Sequence, residues 1–135
     1  MIRTLLFLAT MFVFSSCGKD EVTDNTETAS LRVINSLADY DTTIKSGVSM
    51  VFFHATWCSI CTAQRPSVES LTKETTLKTA ILAQVDTDKN KDIIQKYNVP
   101  GQPVIIIYKD NVEKHRLLGS GHSTQKLTDL IKALL

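Results

Sequence analysis

The sequence MVFFHATWCSICT at residues 50–62 carries the strongest structural and chemical signals in this chain. It begins with a run of hydrophobic residues, which is typical of a strand buried on both faces of a sheet. Trp57 follows, and then Cys58 and Cys61 stand at C-x-x-C spacing where a helix is expected to begin. A cysteine pair at this spacing between a strand and a helix is typical of a redox-active dithiol.

The composition predicts one packed globular domain with some sequence left over for a tail. Of the 135 residues, 43% are hydrophobic and 21% are charged, which excludes a mainly disordered chain. The formal net charge of +1 falls to zero once Arg3 is removed with the leader described below. Because no cluster of Lys and Arg is present, the sequence gives no reason to expect a nucleic-acid partner. We also expect a monomer.

Residues 1–16 are typical of an export signal. Arg3 supplies a positive start, and the apolar stretch from Leu5 to Phe14 is interrupted only by Thr10. Such a stretch is too short for a membrane-spanning helix, which takes about 20 residues, but it fits a signal peptide. The group FSSC at residues 14–17 resembles a bacterial lipobox, although that pattern prefers Leu where Phe14 stands. The resemblance implies lipidation of Cys17, and the alternative is an ordinary secretory leader cleaved near Cys17.

Residues 17–30 are expected to form a flexible tether, because they are rich in Asp, Glu, Thr and Asn and poor in aliphatic side chains. The globular domain is then expected to span residues 31–135. A lipidated Cys17 would anchor this domain to a bacterial membrane, on the periplasmic side or at the cell surface.

The hydrophobic pattern predicts the element order β-α-β-α-β-α-β-β-α. Strands separated by helices are expected to pair in parallel, and the final hairpin adds an antiparallel edge. The predicted fold is therefore an α/β domain with a mixed central sheet and helices on both faces. Strands are expected at 31–34, 48–54, 80–85, 104–108 and 112–118, and helices at 36–45, 62–75 with a kink at Pro66, 92–97, and after Ser123.

With these elements placed, residues 31–135 resemble a thioredoxin. The resemblance rests on short motifs and on the spacings between them, and it is much more specific than a lone C-x-x-C. The motifs are FHATWCSIC at 53–61, Pro66, VDTD at 85–88, KYNV at 96–99, GQP at 101–103, the hairpin KD at 109–110, and Gly119 before the last helix.

The resemblance implies a division of roles among the site residues. Cys58 would lie at a helix N-terminus, where the backbone N–H groups and the helix dipole lower the pKa of its thiol. It would be the catalytic nucleophile, and Cys61 would resolve the mixed disulfide. Pro103 would be the family's cis-proline, packed against the Cys58 sulfur. The substrate-binding residues would be Trp57, Ile60, Gln102, Pro103 and Gly119. No cofactor is implied beyond the redox-active disulfide, and no metal.

Five positions depart from the family pattern. Phe52 stands where thioredoxins have a buried Asp that helps deprotonate the resolving thiol, and Gln84 stands where its Lys partner is expected. Ser59 and Ile60 replace Gly-Pro between the cysteines, so the reduction potential does not follow from the motif. His54 stands where an aromatic residue is common, and we expect either a packing residue or a local base.

The sequence thus predicts a thiol–disulfide oxidoreductase that reduces or isomerises disulfides of exported proteins and is itself reduced by a membrane dithiol donor. One alternative is a dithiol oxidase of the same fold. Others are a metal-binding or copper-delivery module using both cysteines and His54, and a non-catalytic adhesion or scaffold lipoprotein.

Overall fold

The computed structural model describes residues 30–135, in which helices pack on both faces of a five-stranded sheet. The strands are β1 (Arg32–Ile34), β2 (Val48–His54), β3 (Ile81–Asp86), β4 (Val104–Lys109) and β5 (Val112–Leu118). The helices are α1 (Leu37–Ile44), α2 (Ser59–Ser70), α3 (Lys91–Lys96) and α4 (Thr124–Lys132).

The strand order β1-β3-β2-β4-β5 confirms the predicted mixed sheet. β3 pairs in parallel with β1 and with β2, β4 is antiparallel to β2, and β5 is antiparallel to β4. β2 is the central strand, and all seven of its residues are buried. Its carboxyl end is His54, and the C-x-x-C sequence begins four residues later at the same end of the sheet.

The predicted boundaries of α2 were wrong. The helix runs from Ser59 to Ser70 rather than from 62 to 75, because Cys58 itself is the N-cap residue. Two short 3-10 turns, Leu71–Lys73 and Thr75–Leu77, follow it in place of the predicted last turn. Pro66 lies inside the helix, as predicted.

The starts of α1 and α4 and the turn between β4 and β5 agree with the local sequence signals. Ser36 and Ser123 cap α1 and α4 by accepting hydrogen bonds from the N–H groups of Asp39 and Lys126. The β4–β5 hairpin turns through Asp110 and Asn111, both with positive φ, which is the conformation that a two-residue hairpin turn requires.

The two faces of the sheet carry different cores. We call one the dithiol face, where Cys58, Cys61 and Val68 pack with Phe52 of β2 and Leu127 of α4. We call the other the tyrosine face; its core residues include Tyr40, Ile44, Phe53, Ile93 and Tyr108. Alternate residues of β2 supply the two cores because successive side chains of a strand point to opposite faces.

The predicted leader, the predicted lipidation site at Cys17 and nearly all of the predicted tether lie outside the described residues. Within residues 30–135, no helix is long and apolar enough to cross a membrane.

Candidate active site

Cys58 and Cys61 form a disulfide at the start of α2, with their Cα atoms 5.2 Å apart. Cys58 is the N-cap residue, and its Sγ accepts a hydrogen bond from the backbone N–H of Cys61 at 3.1 Å. The side chains are 6% and 1% exposed, so Cys58 is the more accessible of the two sulfurs. The first-turn N–H groups and the helix dipole would stabilise a thiolate on Cys58 after reduction.

Exposed apolar side chains flank the disulfide. Trp57 is 68% exposed and Ile60 is 54% exposed, although residues of this size are usually buried. The indole Nε1 of Trp57 donates to Asp88 Oδ2 at 2.7 Å, which ties the residue before Cys58 to the loop after β3. The apolar surface beside Cys58 is therefore held in place by a polar contact and remains open to a partner.

The structure brings Gln102, Pro103 and Gly119 to the same end of the sheet as the disulfide. Val104, which follows Pro103, pairs with Phe53 near the carboxyl end of β2 and with Leu118 at the end of β5. The Gln102–Pro103 peptide bond is cis, as predicted. The N–H of Gly119 donates to the carbonyl of Pro103 at 2.9 Å, and Thr87 Oγ1 donates to Gln102 Oε1 at 3.4 Å. All five residues predicted to bind substrate thus come from segments that meet at this end.

Beneath the disulfide, an arginine accompanies the two residues that depart from the family pattern. Phe52 is fully buried and pairs in register with Gln84 of β3. The guanidinium of Arg65, on α2, lies 5.5 Å from the centre of the Phe52 ring and donates to Gln84 Oε1 at 3.1 Å. The same guanidinium is ion-paired with Glu69 Oε1 at 3.2 Å, so a half-buried and paired cation packs against the position where thioredoxins have a carboxylate.

His54 is buried and packs against the same ring. Its imidazole stacks on Phe52 with the ring centres 5.5 Å apart, and its Nδ1 has no hydrogen-bond partner. Burial, and secondly the charge of Arg65, lower the pKa of His54, so its ring is neutral at neutral pH. The stacking supports the expectation of a packing residue.

Sequence reasoning missed three residues at this site. Leu118, at the end of β5, is 57% exposed beside Gly119. Gln64 is buried in α2, where its carboxamide bonds the backbone of His122, and Arg65 packs on Phe52. Gln64 carried a usable signal, because it follows Cys61 by three residues and precedes Val68 by four, which places a polar side chain on the buried helix face.

The described residues also bear on the metal-binding alternative. Between Ser30 and the C-terminus, no group of three His, Cys, Asp or Glu side chains is placed so that it could hold a metal ion.

Comparisons with known proteins agree with this site. The family model described as Thioredoxin matches residues 32–133. A thioredoxin of Staphylococcus aureus is 37% identical over 82 residues, which cover 61% of this chain and 78% of the relative. The solved thioredoxin of Fasciola hepatica superposes with a TM-score of 0.68 at 32% identity, covering 78% of this chain and 100% of that one. The solved thioredoxin of Trypanosoma brucei brucei gives a TM-score of 0.69 at 26% identity, covering 80% of this chain and 96% of that one.

The fold and the helix-capping disulfide define a thiol–disulfide oxidoreductase that acts on protein disulfides. The chain belongs to the thioredoxin family.

Proposed function

We propose that this chain reduces, or reduces and re-forms, disulfide bonds of exported proteins while tethered to a bacterial membrane. The observation that carries the proposal is the position of Cys58, whose Sγ caps α2 and accepts the N–H of Cys61 beside an exposed apolar surface. A thiol in that position is readily deprotonated and can be reached by a protein substrate.

In the proposed reaction, the Cys58 thiolate attacks one sulfur of a substrate disulfide. A mixed disulfide forms, and the other substrate sulfur leaves as a thiolate. Cys61, as a thiolate, then attacks Cys58 Sγ and releases the second substrate sulfur, so two electrons pass from the dithiol to the substrate. The product is the Cys58–Cys61 disulfide seen in the structure, and a membrane dithiol donor would restore the reduced form.

The proposed docking surface consists of Trp57, Ile60, Gln102, Pro103 and Gly119. The two exposed apolar side chains would cover the substrate next to its disulfide, as aromatic and aliphatic residues do at protein interfaces. The backbone beside the cis peptide bond of Pro103 would pair with an extended substrate segment as an added strand does.

The proposed location rests on sequence alone. An apolar leader that ends in FSSC at residues 14–17 supports export and lipidation of Cys17. The polar stretch after it supports a tether between the lipid and the domain. Disulfides form in the compartments outside the cytoplasm, so an exported oxidoreductase would find its substrates there.

Reduction of insulin by dithiothreitol, followed by turbidity, tests the activity. The wild-type chain is expected to accelerate the reaction, and Cys58→Ser is expected to lose more than about 99.9% of that acceleration because the nucleophile is absent. Tyr40→Phe, a change on the tyrosine face, is the control and should keep the wild-type rate. A wild-type rate equal to that of dithiothreitol alone would contradict the proposal.

One observation favours the dithiol oxidase as a second candidate. The guanidinium of Arg65 lies over Phe52, where the family has a carboxylate. The guanidinium is also paired with Glu69, whose Oε1 lies 3.2 Å from Arg65 Nη1, so the change that bears on the dithiol is the absence of the carboxylate. Without that negative charge the thiolate form is less disfavoured, and stabilising the reduced form makes a dithiol more oxidising. The two candidates therefore differ in reduction potential, which can be measured on the purified domain.

A further inference from the structure

A buried amide joins the cysteine helix to the loop before α4. Gln64 lies on α2 three residues after Cys61 and is 1% exposed. Its Nε2 donates to the carbonyl of His122 at 2.7 Å, and its Oε1 accepts the N–H of the same residue at 2.9 Å. Both polar atoms of the side chain are thus used on one backbone residue 58 positions away in sequence.

The loop so held is the one that carries Gly119. It runs from 119 to 122, and Gly119 and Gly121 have φ values of 74° and 90°, which favour glycine. At its start, the N–H of Gly119 donates to Pro103, and at its end the Gln64 side chain holds His122. The 119–122 loop is therefore fixed at one end to Pro103 and at the other end to α2, the helix that Cys58 caps.

We propose that Gln64 is a positioning residue that sets the distance between Cys58 and the 119–122 loop, and thereby the affinity for protein substrates. This inference rests on the proposed function, because it takes Gly119 as part of the docking surface. Gln64 does not act on the sulfur atoms. A leucine in its place would leave the N–H and C=O of His122 without partners in the protein, and the loop would move to satisfy them from water.

The decisive comparison is between a protein disulfide and a small one. Gln64→Leu is expected to raise KM for insulin about fivefold, the effect of one to two lost hydrogen bonds. Its rate with a small aromatic disulfide, which needs no docking surface, should stay within about twofold of wild type. Thr124→Val is the matched control, because Thr124 Oγ1 donates to Ser67 at 3.1 Å and joins α4 to α2 without touching His122.

A second variant separates positioning from simple loss of stability. In Gln64→Glu, the introduced carboxyl has the shape of the amide and can donate to His122 only when protonated. Burial raises the pKa of such a carboxyl, so lowering the pH should restore KM for insulin toward the wild-type value measured at the same pH. At each pH, the rate of insulin reduction by a variant is divided by the rate of the same variant with the small disulfide. This ratio removes the pH dependence of the thiols themselves.

Hydrogen exchange at the His122 amide supplies a readout that does not depend on the substrate. It should be faster in Gln64→Leu and unchanged in Thr124→Val. If the wild-type chain fails to reduce insulin, the proposed function fails, and the exchange rates still test whether Gln64 holds the loop. A folded Gln64→Leu with the wild-type KM for insulin, or with unchanged exchange at His122, would overturn the inference.

Discussion

The two faces of the sheet use their polar side chains for different purposes. On the tyrosine face, the hydroxyls of Tyr40 and Tyr108 bond each other at 2.8 Å, and Tyr97 donates to Asp41 at 2.6 Å. Burial raises the pKa of both Tyr40 and Tyr97, so these phenols stay neutral across the physiological range. Their contacts join α1, α3 and the sheet, and none of them involves the disulfide.

On the dithiol face, buried and half-buried polar side chains pack on the core that contains the cysteines. Gln64 bonds the loop before α4, Arg65 packs over Phe52, and the imidazole Nδ1 of His54 has no partner. The comparison suggests that the tyrosine face mainly stabilises the fold, whereas the dithiol face controls reactivity and substrate access. Changes on the two faces should therefore give separable effects.

The largest effect on folding is expected from the tyrosine face. Tyr40 is fully buried, and Tyr40→Ala should lower the free energy of unfolding by about 3–5 kcal/mol, as removal of large core side chains does. Urea unfolding of the disulfide form would measure the loss, and the reduction potential of the dithiol should not change. Should Tyr40→Ala fail to fold, Tyr40→Phe removes only the hydroxyl and tests the same separation. A shifted potential in a folded variant would break the distinction between the faces.

At Trp57 we expect a smaller effect, and it should fall on substrate binding rather than on folding. Because this side chain is 68% exposed and flanks Cys58, Trp57→Ala should raise KM for insulin about tenfold, as loss of an interface tryptophan does. Its unfolding free energy should fall by no more than about 1 kcal/mol, the contribution of the hydrogen bond from the indole to Asp88. Val112→Ala is the control, since Val112 is 53% exposed at the far end of β5. Equal KM values for the two variants would argue against the proposed docking surface.

The smallest effect is the dependence of stability on pH at His54. The folded chain holds the pKa of His54 below the ordinary value of 6.5, so the unfolded chain takes up this proton first as the pH falls. Stability from this group is therefore complete above about pH 6.5 and decreases as the pH falls toward the lowered pKa. His54→Phe keeps a ring on Phe52, and it should show a smaller loss of stability between pH 7.5 and 5.5. Urea midpoints at the two pH values measure this, and equal losses in both proteins would rule out His54 as the source.

The parts of the molecule that follow local sequence patterns were predictable. The central strand, the capping serines and the turn at Asp110 and Asn111 are determined by residues adjacent in sequence. The cis bond before Pro103 was expected from the family resemblance. The contacts of Gln64 with His122 and of Arg65 with Gln84 were not predictable, because they join residues distant in sequence after the sheet has assembled. The position of Cys58 at the N-terminus of α2 was expected from the family resemblance, whereas the range 62–75 taken from the residue pattern placed the start three residues too late and the end five residues too late.

The departures beneath the disulfide leave the direction of electron transfer as the central question. Phe52 takes the place of a carboxylate in the core that contains the cysteines, and the absence of that negative charge would favour thiolates at equilibrium. Arg65 packs on Phe52 but is itself paired with Glu69. The proposed reductase therefore requires that the disulfide itself remain stable enough to form at the expense of substrate disulfides. The quantity that expresses this requirement is the reduction potential of the Cys58–Cys61 disulfide.

Equilibration of the purified domain with glutathione redox buffers, read by mass after alkylation of free thiols, measures this couple directly. A reductase predicts a potential below about −200 mV, toward the value of about −270 mV that is typical of thioredoxin. A potential near −120 mV, as in a strong dithiol oxidant, would contradict the proposed direction of the reaction.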